Sequence, residues 1–414
     1  MRAIVITIGD EIISGLTVDT NAAYISQRLV SIGVDVTRRC SVGDNPDDIE
    51  REIRDGLAQF DVVITTGGLG PTDDDITKRS ICRVFGCSLK EDTQTLEAIT
   101  TRYRQLGVAM TEGNRGMAMQ PGGAVLLSNP LGTAPGILFD RDGKIFCAMA
   151  GVPAEMRAIV DSGLVPYIEK KGSGRSIKYQ SLCTFGIPES ILAAKLKKGG
   201  YVPDGVRLAY LPSYAGVMLR LRAEGKDEAE ASQLVDRNFN ALYPLIREYV
   251  YSTEQESLLE HVTRLLREKP ATVAVAESCT GGLIAKMLTD VPGSSAYFVQ
   301  GVVAYANEAK TRLLGVKRET LDEHGAVSQE VCAEMGEGIL DSSGADYAIA
   351  TTGIAGPTGG TPEKPVGLVY IGVAEKTGMT VERRQFSGDR DIIRVRSANV
   401  ALNMLRHRLT KAQP

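Results

Sequence analysis

"RAIVITIGDEIISGLTVDTNAAYISQRLVSIG", Arg2–Gly33, contains the pattern that decides the fold. Its first part, Ala3–Gly9, is an apolar run without polar alternation that stops at glycine, as a strand covered on both faces does. Its last part, Thr20–Gly33, sets Ala23, Ile25, Leu29 and Val30 at near-helical spacing and stops at Gly33, a suitable C′ residue. Runs of the first kind recur at Asp61–Gly68 ("DVVITTGG") and Gly143–Gly151 ("GKIFCAMAG"). Strand, helix and strand in that order predict parallel βαβ units and a doubly wound α/β sheet over residues 1–171.

Outward from there, the polar "KKGSGRS" (Lys170–Ser176) reads as a domain boundary. Residues 172–252 then describe a small α+β unit with no catalytic cluster. A second break falls at Tyr251–Ser257, where Ser252 or Thr253 is a candidate cap for a helix through Leu258, Leu259, Val262 and Leu265. Residues 253–414 alternate again. Strands are expected at Thr272–Ala276, Gly301–Ala306, Asp346–Gly353 and Gly367–Glu375, with helices after Gly282 and Asn307 and a last one to Leu409. A second layered α/β domain follows.

Composition narrows the function. The 414 residues carry 47 Lys+Arg against 51 Asp+Glu, a net charge of −4, and 43% are hydrophobic. This is an ordinary globular balance that excludes wholesale disorder. The pI near 5.7 and the lack of a basic run give no grip for nucleic acid or an acidic membrane. No apolar stretch approaches the ~18 residues needed to cross a bilayer. Asp10 and Glu11 interrupt the N-terminal run before any cleavage site, so it reads as a strand rather than a leader. Seven cysteines without zinc or disulfide spacing suit a reduced, cytoplasmic setting. Small-molecule chemistry is left.

In the third domain, "AVAESCTGGLIAKMLTD" (Ala274–Asp290) ends a strand at Glu277 and starts a helix near Gly281, with Ser278 and Cys279 on the turn. Backbone N–H groups at such a turn attract an oxyanion or phosphate, and Gly281 and Gly282 leave room for it. Read as structure alone, Ser278 or Thr280 merely caps the helix. In "AYANEAKTRLLG" (Ala304–Gly315), Asn307 reads as an N-cap and Lys310 falls in the first turn. There the helix dipole and desolvation both favour a neutral amine, a usable base for a serine hydroxyl. An exposed, functionless lysine is the plainer reading. The Gly/Pro loop "TTGIAGPTGGTPEKPVG" (Thr351–Gly367) follows a strand and is long enough to suggest a role. Together these elements point to nucleophilic hydrolysis of a phosphorylated substrate. Cys279 is the rival nucleophile. His324 reads as a structural loop residue, and His261 and His407 as surface or packing residues.

In the first domain, "TTGGLGPTDDDITKR" (Thr65–Arg79) is a glycine turn followed by an acidic helix start, Asp73–Asp75. Carboxylates there serve the helix dipole or hold Mg²⁺ or another hard cation against a diphosphate. A phosphate without a cation would be repelled. "GDEIISG" (Gly9–Gly15), Asp19, Asn21, Asp44 and "NPLGTAPG" (Asn129–Gly136) are expected at neighbouring strand ends.

The motifs "AESCTGG", "GSSAYFVQGVVAYANEAK", "HGAVS", "GIAGPTGG", "KPVGLVY" and "FSGDRD" closely resemble the nicotinamide-nucleotide amidohydrolase domain of the CinA family of competence/damage-inducible proteins. "GGLGPTDDDIT" and "AGVPAEM" are similar to that family's molybdopterin-binding-like N-terminal domain, with Ala150 where proline is usual. The middle unit resembles the family's KH-like domain, without a basic GXXG loop, and is expected to be a spacer or dimerisation element.

The resemblance implies, for residues 253–414, deamidation of nicotinamide mononucleotide to nicotinic acid mononucleotide and ammonia, with no cofactor. Ser278 and Lys310 match the catalytic pair, and Tyr305 and Thr352 the relay and oxyanion positions. Cys279, Thr280, Gly281, Gly282, Gly353 and Gly356 are then expected substrate contacts. Arg390, with Arg394 and Arg396 nearby, is a candidate phosphate contact. For residues 1–171 it implies a metal-dependent ADP-ribose pyrophosphatase giving AMP and ribose 5-phosphate. Its expected substrate contacts are Asn21, Gly67, Gly68, Gly70, Pro71, Thr72, Gly132 and Thr133. Asp74, Asp75, Asp44 and Glu11 are its candidate ligands for Mg²⁺ or a transition metal. The expected assembly is a homodimer, with nucleotides as the only other partners. A nucleotide-sensing regulator of competence or DNA damage, or a pterin-binding first domain without hydrolysis, are the alternatives.

Overall fold

The computed structural model describes residues 1–70, 76–172 and 176–410. They divide into two compact units, residues 1–179 with 223–234 and residues 180–222 with 235–414.

The first unit is built on a six-stranded sheet. Its strands are β1 (Arg2–Ile8), β2 (Asp35–Val42), β3 (Val62–Thr66), β4 (Val125–Leu127), β5 (Gly136–Arg141) and β6 (Lys144–Met149), in the order β2-β1-β3-β6-β5-β4. β1, β2, β3 and β6 run parallel; β5, joined to β6 by a tight hairpin, is antiparallel to it, and β4 is antiparallel to β5. Ala3–Ile8 of β1 are buried throughout, because helices cover both faces. On one face lies α1 (Thr20–Ser31), capped by the Asp19 carboxylate on the Ala22 N–H. It buries Asn21, Ala22, Ile25 and Leu29, so its inner stripe runs one residue earlier than the expected Ala23 and Val30. The other face takes α2 (Pro46–Gln59), α3 (Thr77–Phe85) and α4 (Thr93–Gln105), through Ile49, Ile53, Ile81 and Ile99. The sequence reading passed over β2, which is polar and half-exposed because it sits at the sheet edge.

The small α+β segment has strands β7 (Ser176–Thr184), β8 (Val206–Ser213), β9 (Gly216–Gly225) and β10 (Val250–Ser252), in the order β8-β9-β7-β10. Leu182, Leu219 and Leu221 pack on Leu192 of α5 (Glu189–Lys198) and Leu242 of α6 (Glu228–Ile246).

The last part of the chain carries β11 (Val273–Glu277), β12 (Phe298–Val303), β13 (Tyr347–Gly353), β14 (Leu368–Glu375) and β15 (Gly378–Gln385), ordered β12-β11-β13-β14-β15. The first three in that order are parallel and the hairpin β14–β15 is antiparallel. β12 begins earlier than expected and stops at Val303, so Ala304–Ala306 leave the sheet to start the next helix. One face holds α7 (Leu258–Glu268), α8 (Leu283–Asp290) and α11 (Arg390–Thr410); the other holds α9 (Asn307–Leu314) and α10 (Gln329–Ser343). The cap of α7 is Ser257, in a reciprocal box with Glu260, rather than Ser252 or Thr253; the Ser252 hydroxyl instead donates to Glu256.

In both parallel sheets the carboxyl ends of the central strands, beside the first strand to enter, form the crevice where α/β folds bind ligands. The position of α9 in that crevice depends on a close helix contact. A Cβ on Gly338 of α10 would lie 1.8 Å from the Leu314 carbonyl oxygen at the end of α9. Gly338→Ala must therefore displace α9, and is expected to destabilise this layer by about 1–3 kcal/mol, measured as a lower urea midpoint than the wild type.

Candidate functional site

The carboxyl ends of β11, β12 and β13 enclose a cavity of about 190 Å³. Sheet bonding continues past β11: the Glu277 carbonyl accepts the Ala304 N–H (2.8 Å), and the Ser278 N–H donates to Thr351 (3.0 Å). The Ser278 backbone is thus fixed by both neighbouring strands. Its side chain lines the cavity, is only 8% exposed, and makes no hydrogen bond with the described residues.

Lys310 reaches the same cavity from the first turn of α9 and is 1% exposed. Its Nζ donates to the carbonyls of Ala304 and Tyr305, each at 3.0 Å. Burial pushes its pKa down from the usual lysine range, opposed by Cys279. A neutral amine has two N–H bonds and one lone pair. Two carbonyls occupy the two hydrogens and leave the lone pair for a proton from Ser278. The cap of α9 is Ala306, not Asn307; Asn307 begins the helix and lines the cavity.

The glycine turn has a different role from the one its sequence suggests. The carboxylate of Glu277, which is fully buried, accepts the N–H groups of Gly282 (3.0 Å), Ile284 (3.1 Å) and Ala285 (2.8 Å). The protein's own side chain therefore fills the anion site at the start of α8. The Gly281 N–H donates to Ser278 O, and Thr280 pairs with Thr351 through its hydroxyl and takes Arg394 on its carbonyl. Thr280, Gly281 and Gly282 lie outside the lining of this cavity, whereas they were expected as substrate contacts. Cys279 does line it, but burial pushes its thiol up to about 12, so the thiolate is scarce at neutral pH.

Tyr305, Thr352, Gly353 and Arg390 also line the cavity, and Gly356 is not among its lining residues. Thr352 Oγ1 donates to the Ala326 carbonyl (2.6 Å), which occupies its hydrogen. Tyr305 OH accepts from Arg390 Nη2 (2.9 Å), leaving its own hydrogen available. Arg390 Nη1 holds the Gly356 carbonyl (2.9 Å). Arg394 and Arg396 are committed to Thr280 and Ser387 and do not line the cavity. His324 is also outside it, between Glu323 and Glu330.

The second cavity, about 520 Å³, opens at the carboxyl ends of β1, β2, β3 and β6. It is lined by Glu11, Asp44, Gly67, Gly68, Gly70 and Thr133 among the expected residues. Gly67 is obligatory: its φ is +118° and a Cβ would sit 2.1 Å from the Ile8 carbonyl oxygen. Asn21 is buried beside it and braces its wall, donating to Gly151 O (2.7 Å) and Thr66 Oγ1 (3.1 Å). Gly132 lines a neighbouring cavity instead. Pro71, Thr72, Asp74 and Asp75 lie outside the described residues. Glu155 is a lining carboxylate that sequence reasoning missed, although it stands in the quoted "AGVPAEM". Oxygen donors of Glu11, Asp44 and Glu155 suit a hard cation. Among the described residues, however, no three His, Cys, Asp or Glu converge closely enough to hold a metal, and no helix is long and apolar enough to cross a membrane.

Fold and cavities define an α/β protein with a crevice at the carboxyl ends of the parallel strands in each of two sheets. Three family models match in order: a probable molybdopterin binding domain over residues 4–170, the damage-inducible protein CinA KH domain over 180–252, and the CinA C-terminal domain over 255–409. The CinA-like protein of Chloroherpeton thalassium is 44% identical, with 99% of each chain covered. That of Geotalea uraniireducens is 41% identical, covering 99% of this chain and 98% of its own. A crystal structure of a competence-damaged protein (CinA) superfamily protein from Klebsiella pneumoniae is 36% identical, covering 37% of this chain and 97% of that one, with a TM-score of 0.37. The chain belongs to the CinA family.

The depressed pKa of Lys310 makes stability pH-dependent with a definite sign. Between its folded pKa and 10.5 the unfolded chain binds the extra proton, so stability rises with pH across that window. In Lys310→Met that contribution should vanish, and chemical denaturation from pH 7 to 10.5 should give a flatter stability profile than the wild type.

Proposed function

We propose that the cavity at Ser278 and Lys310 hydrolyses the carboxamide of nicotinamide mononucleotide to nicotinic acid mononucleotide and ammonia. The observation that carries this reading is a lysine 1% exposed, whose charge burial opposes, in one small cavity with an unbonded serine hydroxyl. Lys310 takes the Ser278 proton as Oγ attacks the carboxamide carbon. The protonated amine then returns the proton to the leaving nitrogen and ammonia departs. Water, deprotonated by the same lysine, hydrolyses the acyl-serine. Tyr305, with its hydrogen unspent, is suited to donate to the developing oxyanion. A cavity of 190 Å³ is smaller than the ~300–1,000 Å³ usual for a whole ligand. It suits the pyridine carboxamide alone, with ribose and phosphate crossing the rim at Tyr305 and Arg390. This chemistry needs no cofactor.

For the N-terminal domain the same proposal includes metal-dependent cleavage of ADP-ribose to AMP and ribose 5-phosphate. Glu11 and Asp44, with Asp74 and Asp75 of the motif "GGLGPTDDDIT", are the residues that would hold a divalent cation, which would offset the charge of a diphosphate. Glycine backbone at Gly67, Gly68 and Gly70 forms the bed for its oxygens. We place both activities in the cytoplasm and in a homodimer.

Two sets of measurements test this. Lys310→Ala and Ser278→Ala should each cut ammonia release from nicotinamide mononucleotide by about two to four orders of magnitude, while Cys279→Ser keeps turnover; near-normal release by either of the first two rejects the pair. AMP production from ADP-ribose should need added Mg²⁺ or a transition metal and stop with a chelator. Glu11→Gln and Asp44→Asn should each slow it about tenfold or more, and AMP formation indifferent to metal would reject the role given to these carboxylates.

A further inference from the structure

The cavity at Glu11 and Asp44 has a neighbour on the far side of Thr133. A second cavity of about 230 Å³ shares Thr133 with it and lies between the start of α4 and the loop 128–135. Asn129 builds the partition. Its Oδ1 accepts the N–H groups of Leu131 (3.1 Å) and Gly132 (2.8 Å), and its Nδ2 donates to Ala134 O (2.9 Å) and to the Glu155 carboxylate (2.7 Å) in the first cavity. The wall is thin there, since a Cβ on Gly132 would lie 1.7 Å from Glu155.

The two compartments differ in chemistry. Carboxylates line the first. The second has one, Asp92, whose Oδ2 is committed to the N–H (2.7 Å) and hydroxyl (2.6 Å) of Thr95 as the cap of α4. Its other walls are mixed: Ala98, Leu126, Leu127 and Pro135 are apolar, and the polar remainder is neutral. The Gln94 amide and Ser128 hydroxyl at its edge make no hydrogen bond with the described residues. Apolar patches beside neutral, uncommitted donors and acceptors fit a planar heteroaromatic ring, and the lining holds no cationic side chain to offset a phosphate. At 230 Å³ the space lies below the ~300 Å³ at which whole-ligand pockets begin, so it suits a fragment.

We propose that this second cavity binds the heteroaromatic ring of a phosphorylated ligand whose phosphates occupy the first, the chain of the ligand crossing at Thr133. The proposal rests on the reading of the first cavity as a phosphate site. Adenine is the ring under the ADP-ribose reading, and a pterin carries the same chemistry.

The test uses the full chain, with adenosine and free pterin as separate phosphate-free probes followed by ligand-observed NMR. Ala98 is exposed on α4 at the mouth of the cavity, so Ala98→Trp should fill the space without disturbing the fold, checked by circular dichroism. One of the probes should bind the wild type, and bind Ala98→Trp at least about tenfold more weakly. Gln94→Ala should weaken it about fivefold and serves if the tryptophan variant misfolds. For ADP-ribose, Ala98→Trp should raise KM with kcat nearly unchanged, as loss of uniform binding does. Failure of both probes to bind, or binding unaffected by Ala98→Trp and Gln94→Ala, overturns the proposal. Ring binding that responds to these variants in a protein that does not cleave ADP-ribose supports the cavity assignment and rejects the pyrophosphatase reading instead.

Discussion

A lysine held almost entirely out of water is the constraint around which the C-terminal site is arranged. Desolvation of an ammonium costs several kcal/mol, and among the described residues no carboxylate pairs with Lys310 to offset it; the carbonyls of Ala304 and Tyr305 accept its hydrogens. Both carbonyls exist in that position because β12 stops at Val303 and the chain turns into α9. Three residues of irregular backbone thus supply the acceptors, the Tyr305 side chain and the start of the helix that carries the lysine. The burial that weakens the charge is the property that makes the amine a base.

Glu277 complements this arrangement. A buried carboxylate one residue before Ser278 satisfies three N–H groups at the start of α8 and so holds the Ser278 turn rigid. It also closes that helix end to any other anion. Substrate charge must therefore be met on the opposite side of the cavity, where Arg390 binds Tyr305 and Gly356. The N-terminal crevice follows the same topological rule with carboxylates on its wall: Glu11, Asp44 and Glu155 line it, Asp44 with one oxygen on the Asp10 N–H (3.0 Å), so an anionic ligand beside them would need its charge offset.

Much of this was legible in the chain. Uninterrupted apolar runs ending in glycine located β1, β3, β6 and β13, because strands covered on both faces have no polar side. Edge strands lack that mark, which is why β2 and β15 escaped notice. Ser278 and Lys310 could be picked out as a nucleophile on a turn and a cation in the first turn of a helix. Glu277 could not be read in the same way, since a glutamate before a serine gives no sign of where its carboxylate will bond. Nor could Glu155, whose place on the wall depends on β6 lying beside β3.

The sequence by itself determined the alternation of strand and helix, the domain order, and the residue types able to act as nucleophile, base and hard-cation ligand, because periodicity and side-chain chemistry are local properties. Only the tertiary structure decided which N–H groups, hydroxyl hydrogens and arginines remain unspent. Hydrogen bonds between residues distant in the chain, such as Arg394 to Thr280 and Thr352 to Ala326, settle that, and their partners meet only when strands from separate βαβ units lie side by side.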